Sequence, residues 1–138
     1  MVAGAMTGMT WDGKKIGVGA QPMKTKYGWL LITHAADYAH VYRLGVMLLD
    51  LADPTVILYR SPNPILEPEE MCEVGEAGKC LVHNVVFTCA AVPQKDNKEV
   101  LDAQDQILVY YGAADTTICV ATGKIADLIP IRSLTNPV

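Results

Sequence analysis

The stretch LLITHAAD (Leu30–Asp37) returns as LVYYGAAD (Leu108–Asp115), a period close to 78 residues. Each copy is an apolar run, a small-residue turn and an aspartate. Each leads into a second apolar run, YRLGVMLLDL from Tyr42 and TTICVATGKI from Thr116. An Ala-Asp pair follows each, Ala52-Asp53 and Ala126-Asp127. Short runs of β-branched and apolar residues, bounded by Gly, Pro and Asp, read as strands. Their recurrence is the signature of repeated strand groups.

Outward from this echo, further strands are expected at Lys15–Gly19, Trp29–His34, Val41–Leu51 and Val56–Tyr59. A second set is expected at Val82–Val92, Ile107–Gly112 and Thr116–Thr122. Ala35–His40 and Glu69–Lys79 read as loops. Arg60–Glu70 holds Pro62, Pro64 and Pro68 and reads as an ordered loop. Pro93–Gln104 reads as a polar hairpin tip or a short helical turn, and Lys124–Ile129 as a brief helical turn. The fold class is therefore all-β: a partial β-propeller or sandwich of about two four-stranded antiparallel groups. The expected division is an irregular segment at 1–14, a first group at 15–66, a crossover loop at 67–81, a second group at 82–129 and a tail at 130–138. No βαβ alternation is visible. GVGAQP lacks the third glycine and following helix of a dinucleotide-binding turn.

Two strand groups expose an apolar sheet face and an open edge at each end. Self-association, as a dimer or a trimer, is thus expected before any functional consideration. Charge and composition narrow the classes further. The 138 residues carry a formal net charge of -4 with no basic run, which argues against nucleic acid as a partner. No apolar run is long enough for a membrane span, and no secretory leader is visible. Cys72, Cys80, Cys89 and Cys119 lack CxxC spacing, so no metal site is expected. The four read as reduced thiols of a cytoplasmic protein.

Lys24 and His34 flank the Trp29–His34 strand. Locally, each has a plain reading: a solvated turn lysine, and a strand-end histidine bonded to a carbonyl. Each also suits an oxyanion, the ammonium as a point charge and the imidazole as a donor. Asp115 reads as a turn residue or as an acceptor for paired sugar hydroxyls. Tyr110 and Tyr111 offer a stacking platform, but strand alternation sends them to opposite faces, so one belongs to the core.

The segments KIGVGAQPMKTKYGWLLITH, YRLGVMLLDLADPTVILYRSPNPILEPEE, NVVFTCAAV and ILVYYGAADTTICVAT, in this order, resemble glycoside hydrolase family 130 from about Lys15 to Leu128. That family holds β-mannoside phosphorylases and β-mannosidases. The resemblance implies a five-bladed β-propeller of more than twice this length, of which the chain matches the last two blades or so. It implies that Lys24, in PMKT, and His34 bind phosphate. It implies that Asp115, at the end of YYGAAD, and Tyr111 contact the sugar. The family's general-acid aspartate belongs to its N-terminal part, and Asp37, Asp50 and Asp115 do not stand at its position. No catalytic residue is therefore assigned. Ala35 and Ala90 stand where the family usually has glycine.

The resemblance implies inorganic phosphate as co-substrate and no organic cofactor. The expected function is a truncated family member with part of a phosphate/mannoside site, not catalytic alone. A self-assembling sugar- or anion-binding module remains open. So does the C-terminal part of a phosphorylase completed by another chain.

Overall fold

A computed structural model describes residues 10–135, and the side chain of Thr135 is not described. The expectations for residues 1–9 and 136–138 lie outside the described residues. Among the described residues, eight strands form two antiparallel sheets. The first sheet holds β1 (Lys15–Val18), β2 (Met23–Thr25), β3 (Gly28–Ala36), β4 (Tyr42–Leu49) and β5 (Ile57–Arg60). Its order is β1-β3-β4-β5, and β2 also pairs with β3. The second holds β6 (Val86–Pro93), β7 (Gln106–Ala113) and β8 (Thr117–Lys124) in sequence order.

The all-β reading stands, but the two groups are not four-stranded. One has five strands and the other three. The five arise because one edge is broken: β1 pairs with the Thr33–Ala36 end of β3 and β2 with the Gly28–Leu30 end. Gly19 to Pro22 interrupts that edge, where a proline removes a ladder donor.

In the second sheet β6 starts later than expected because Asn84 adopts a left-handed φ of 57°. This turns the chain just before β6. Val82–Val85, expected as the head of that strand, therefore leaves it, and Val85 forms a parallel bridge to Tyr42 instead. The polar connection before β7 is likewise not a free tip. The Leu101 amide donates to the Lys24 carbonyl at 2.9 Å, and the Lys26 amide to the Leu101 carbonyl at 2.9 Å. Leu101 is itself buried.

Register sorts the first sheet into two faces. Directly opposed residues share a face, and the side-chain period is two. Leu30, Ile32, His34, Leu44, Val46 and Leu48 fall on the inner face. Leu30, Ile32, Leu44, Val46 and Leu48 join one core with Val86, Ile107, Val109, Tyr111 and Ala113 of the second sheet. The outer face carries Ile16, Val18, Leu31, Met47 and Leu49, which border an apolar depression with Pro54 and Ile57.

Three short helices close the structure: α1 (Met71–Val74), α2 (Ile125–Leu128) and α3 (Ile131–Thr135). The brief turn expected at Lys124–Ile129 is α2. The crossover expected as loop contains α1, and the expected tail contains α3. Pro130 starts α3, with the Ser133 amide donating to its carbonyl at 3.0 Å. Ile131 and Leu134 pack on the core. The described end of the N-terminal segment is also fastened. Trp11 Nε1 donates to the Pro62 carbonyl at 3.0 Å, and buried Asp12 accepts from Arg60 Nη2 at 2.6 Å. The Trp11 ring lies against Gly45, where a Cβ would come within 2.4 Å of it.

Candidate functional site

His34 lies on the inner face of β3 and is only 8% exposed. Its ring stacks on Phe87 of β6, centroids 3.9 Å apart. Phe87 in turn meets the Tyr42 ring at 5.9 Å. Phe87 and Tyr42 border a depression with Val82, Val85 and Asp115. Lys15 stands over this group, its Nζ 5.8 Å from the Tyr42 ring centroid. One aromatic chain thus runs from His34 of the first sheet to the depression that Asp115 of the second borders.

The backbone is shaped to hold the imidazole. A Cβ on Gly17 would fall 2.6 Å from His34 Nε2. One on Gly19 would fall 2.9 Å from His34 Nδ1 and 2.7 Å from the Thr88 Cβ. The glycines of GVG therefore serve the histidine. His34 Nδ1 and Thr88 Oγ1 are both buried with no hydrogen-bond partner among the described residues. An unpaired buried polar atom costs about 1–3 kcal/mol, so this corner is unsatisfied as it stands. Burial, then the charge of Lys15, pushes the His34 pKa below its ordinary value. The ring is a neutral donor or acceptor near pH 7.

Asp115 is exposed at the tip between β7 and β8. Ala114 and Asp115 both have φ of 49°, and the Thr116 amide donates to the Ala113 carbonyl at 3.0 Å. Two left-handed central residues make a type I′ turn. Aspartate tolerates that conformation, but alanine does not favour it. Buried Ala114 is held there by its amide, which donates to the Val85 carbonyl at 2.9 Å. The strain fixes Asp115 over the depression.

The structure does not bring Lys24 to this site. Lys24 is opposite Trp29, and His34 is opposite Gly17. Positions 29 and 34 are an odd number apart, so the two basic side chains leave opposite faces of the sheet. They are also about 17 Å apart along β3. Lys24 is exposed, with Nζ 6.0 Å from the Trp29 ring centroid.

Tyr111 is buried in the core side of the second sheet. Its hydroxyl donates to Glu73 Oε1 at 2.6 Å. Tyr110 is the exposed member of the pair at 39%. Glu73 Oε2 also accepts the amides of Glu69 and Glu70, at 2.9 and 3.0 Å. Burial opposes its charge, but these three donors outweigh that and lower its pKa. Burial, then the Glu73 carboxylate, raises that of Tyr111.

Ala35 is buried in extended strand, as are the other residues of β3 except half-buried Trp29. Ala90 follows a bulge at Cys89 that shifts the β6 register. Sequence reading missed Tyr42, Phe87 and Lys15, which no local signal marked. Among the described residues, no three His, Cys, Asp or Glu side chains group as a metal would require. No described helix is long and apolar enough to cross a membrane.

The family profile described as beta-1,4-mannooligosaccharide phosphorylase matches residues 2–133. The chain belongs to glycoside hydrolase family 130. Among family 130 relatives, a beta-1,2-mannobiose phosphorylase of Thermoanaerobacter sp. strain X514 is 50% identical over 81% of this chain. A 1,2-beta-oligomannan phosphorylase of the same organism is 44% identical over 86%. The solved beta-1,2-mannobiose phosphorylase of Listeria innocua, in complex with beta-1,2-mannobiose, superposes with a TM-score of 0.78 at 34% identity. It is matched by 96% of this chain. The chain spans about a third of the length of these relatives: 33%, 36% and 33% respectively.

Proposed function

We propose that the chain forms one wall of a mannoside phosphorylase-type site, in which His34, Tyr42, Phe87 and Asp115 meet phosphate and sugar. It is not catalytic alone, and its two sheets are two neighbouring blades of a β-propeller. The observation that carries the reading is the unpartnered, buried His34 Nδ1, on a ring stacked against Phe87, which in turn borders a depression with Tyr42 and Asp115. A ring face packs against sugar C–H groups, a lone carboxylate accepts from hydroxyls, and an imidazole N–H donates to an oxyanion. Two of the relatives above are named for β-1,2-mannosides and one for a 1,2-β-oligomannan. They favour a β-1,2 linkage for the sugar, which the sequence reading left open.

Phosphorolysis needs a general acid positioned on the leaving oxygen, with phosphate attacking. The two other aspartates weighed from the sequence, Asp37 and Asp50, are engaged elsewhere. Asp37 is paired with Arg43 at 2.7 Å and accepts two amides. Asp50 accepts the amides of Ala52 and Asp53. Asp115 alone faces the depression, which supports binding without turnover.

The test is calorimetry with β-1,2-mannobiose and inorganic phosphate, alongside an assay for mannose 1-phosphate. Binding that His34→Gln and Asp115→Asn each weaken tenfold or more, with no mannose 1-phosphate formed, is the expected result. Phosphorolysis by the chain alone overturns the non-catalytic reading, and no binding of either ligand overturns the site.

A second reading rests on the uncovered faces. Val18 is 47% exposed on the outer face of the first sheet, and Ile118 is 76% exposed on the second. Copies of the chain covering one another's faces form an assembly. Sedimentation velocity showing a monomer at all concentrations overturns that reading.

A further inference from the structure

Cys72 is the second residue of α1, and Cys119 lies in the middle of β8. Their sulfurs are 3.9 Å apart across 47 residues of sequence, and both thiols are free. Cys72 is exposed and Cys119 half-buried. Neither belongs to the depression around Asp115. Their approach is no accident of a loose loop. Cys119 is the register partner of Tyr111, and Tyr111 holds Glu73, the neighbour of Cys72, by a buried hydrogen bond. That bond docks α1 on the second sheet and fixes where Cys72 stands.

We propose that Cys72 and Cys119 are a reversible dithiol–disulfide site, oxidised by a low-molecular-weight disulfide of the glutathione class. A disulfide needs sulfurs about 2.05 Å apart. The remaining approach of about 2 Å lies within a χ1 rotation of exposed Cys72. The exchange balances in two steps. The Cys72 thiolate attacks one sulfur of oxidised glutathione, forming a mixed disulfide and releasing one glutathione thiolate. The Cys119 thiolate then attacks the Cys72 sulfur and releases the second. Two protein thiols and one glutathione disulfide become one protein disulfide and two glutathione thiols, which take up the two protons.

Cys72 attacks first because it is open to solvent. Burial, then the neighbouring Cys72, holds the Cys119 thiol above its ordinary pKa, which disfavours it as the initial nucleophile. The product fastens the crossover to the last strand of the second sheet. Among the described residues, no other two thiols stand this close. Cys80 sits 3.6 Å from His83 Nδ1, and Cys89 donates to the Phe87 carbonyl, without a second thiol nearby.

The experiment treats the 138-residue chain with oxidised glutathione at pH 8 and maps its peptides without reduction. The expected result is a Cys72–Cys119 cross-linked peptide within one molecule. The Tm rises by roughly 5–15 °C, since the closed loop is long, and reverts with dithiothreitol. Cys72→Ser and Cys119→Ser each remove both the cross-link and the rise. Glutathione found on both cysteines without a cross-link overturns the proposal. So does a cross-link found only between molecules, or a Tm rise that survives Cys72→Ser.

Discussion

The two faces of β3 present the same strand in two environments. On the inner face, Ile32 is fully buried between the sheets and His34 is stacked on Phe87. On the outer face, Val18 of the neighbouring β1 is 47% exposed, and Lys24 reaches over Trp29 into solvent. Both faces are apolar by composition. The second sheet covers the inner face, whereas the outer face is buried at Leu31, Thr33, Ala35 and Met47 and open at Val18 and Lys24. An apolar sheet face is a demand for a neighbour, and this chain meets it fully on the inner face and only in part on the outer one.

The sharpest way to break the comparison is truncation on each face. Ile32→Ala removes three carbons from a filled core and should cost about 3–4 kcal/mol in urea denaturation. Val18→Ser should change stability by less than about 0.5 kcal/mol in the isolated chain. A Val18→Ser cost above about 1.5 kcal/mol, falling on dilution, would show instead that the outer face is covered by another copy.

Next in size is the bond that ties α1 to the inner side of the second sheet. Tyr111→Phe leaves Glu73 its two backbone donors but takes away the third. A loss of about 1–2 kcal/mol by urea denaturation is expected. A neutral result would mean that α1 is held by its own turn, against the marginal stability of a four-residue helix on its own.

The inner face also carries a pH signature. The His34 pKa is lowered in the folded state, so the unfolded chain takes up a proton first as pH falls below the ordinary value of 6.5. Stability should therefore decline from about pH 6.5 downward until the folded pKa is passed. His34→Gln should flatten that segment of the stability profile, measured by thermal melts from pH 7.5 to 4.5. An unchanged slope would place the titration elsewhere.

The smallest expected effect belongs to the outer face. Lys24→Ala should leave calorimetric phosphate binding within about twofold, while His34→Gln weakens it. Equal losses from both would show that a single anion spans the sheet, against the register that separates them.

Much of this was legible before folding. The strand runs, their turns and the brief turn at Ile125–Leu128 follow from residue type and period two. So does the split between Tyr110 and Tyr111, since alternation within one strand needs no partner to be known. Helices α1 and α3 were not legible. Each is a turn or so long, too short for a helical period to show. Their anchors, Tyr111 for Glu73 and the core for Ile131 and Leu134, are remote in sequence. The strand group sizes were also misjudged: the Gly19–Pro22 stretch splits an edge of the first sheet into two strands, while Asn84 shortens β6 without removing it.

The site divides the same way. His34 and Asp115 stood out through their motifs, which carried the family resemblance. Their neighbours Tyr42, Phe87 and Lys15 had no such mark. What the sequence determined by itself is the all-β class and the family, because both rest on local pattern and motif order. Only the tertiary structure decided that Lys24 and His34 point apart, that GVG exists to admit an imidazole, and that Cys72 meets Cys119. Those facts depend on register and on sheet-to-sheet packing. Register is set by the whole set of paired strands, and no short stretch of residues contains it.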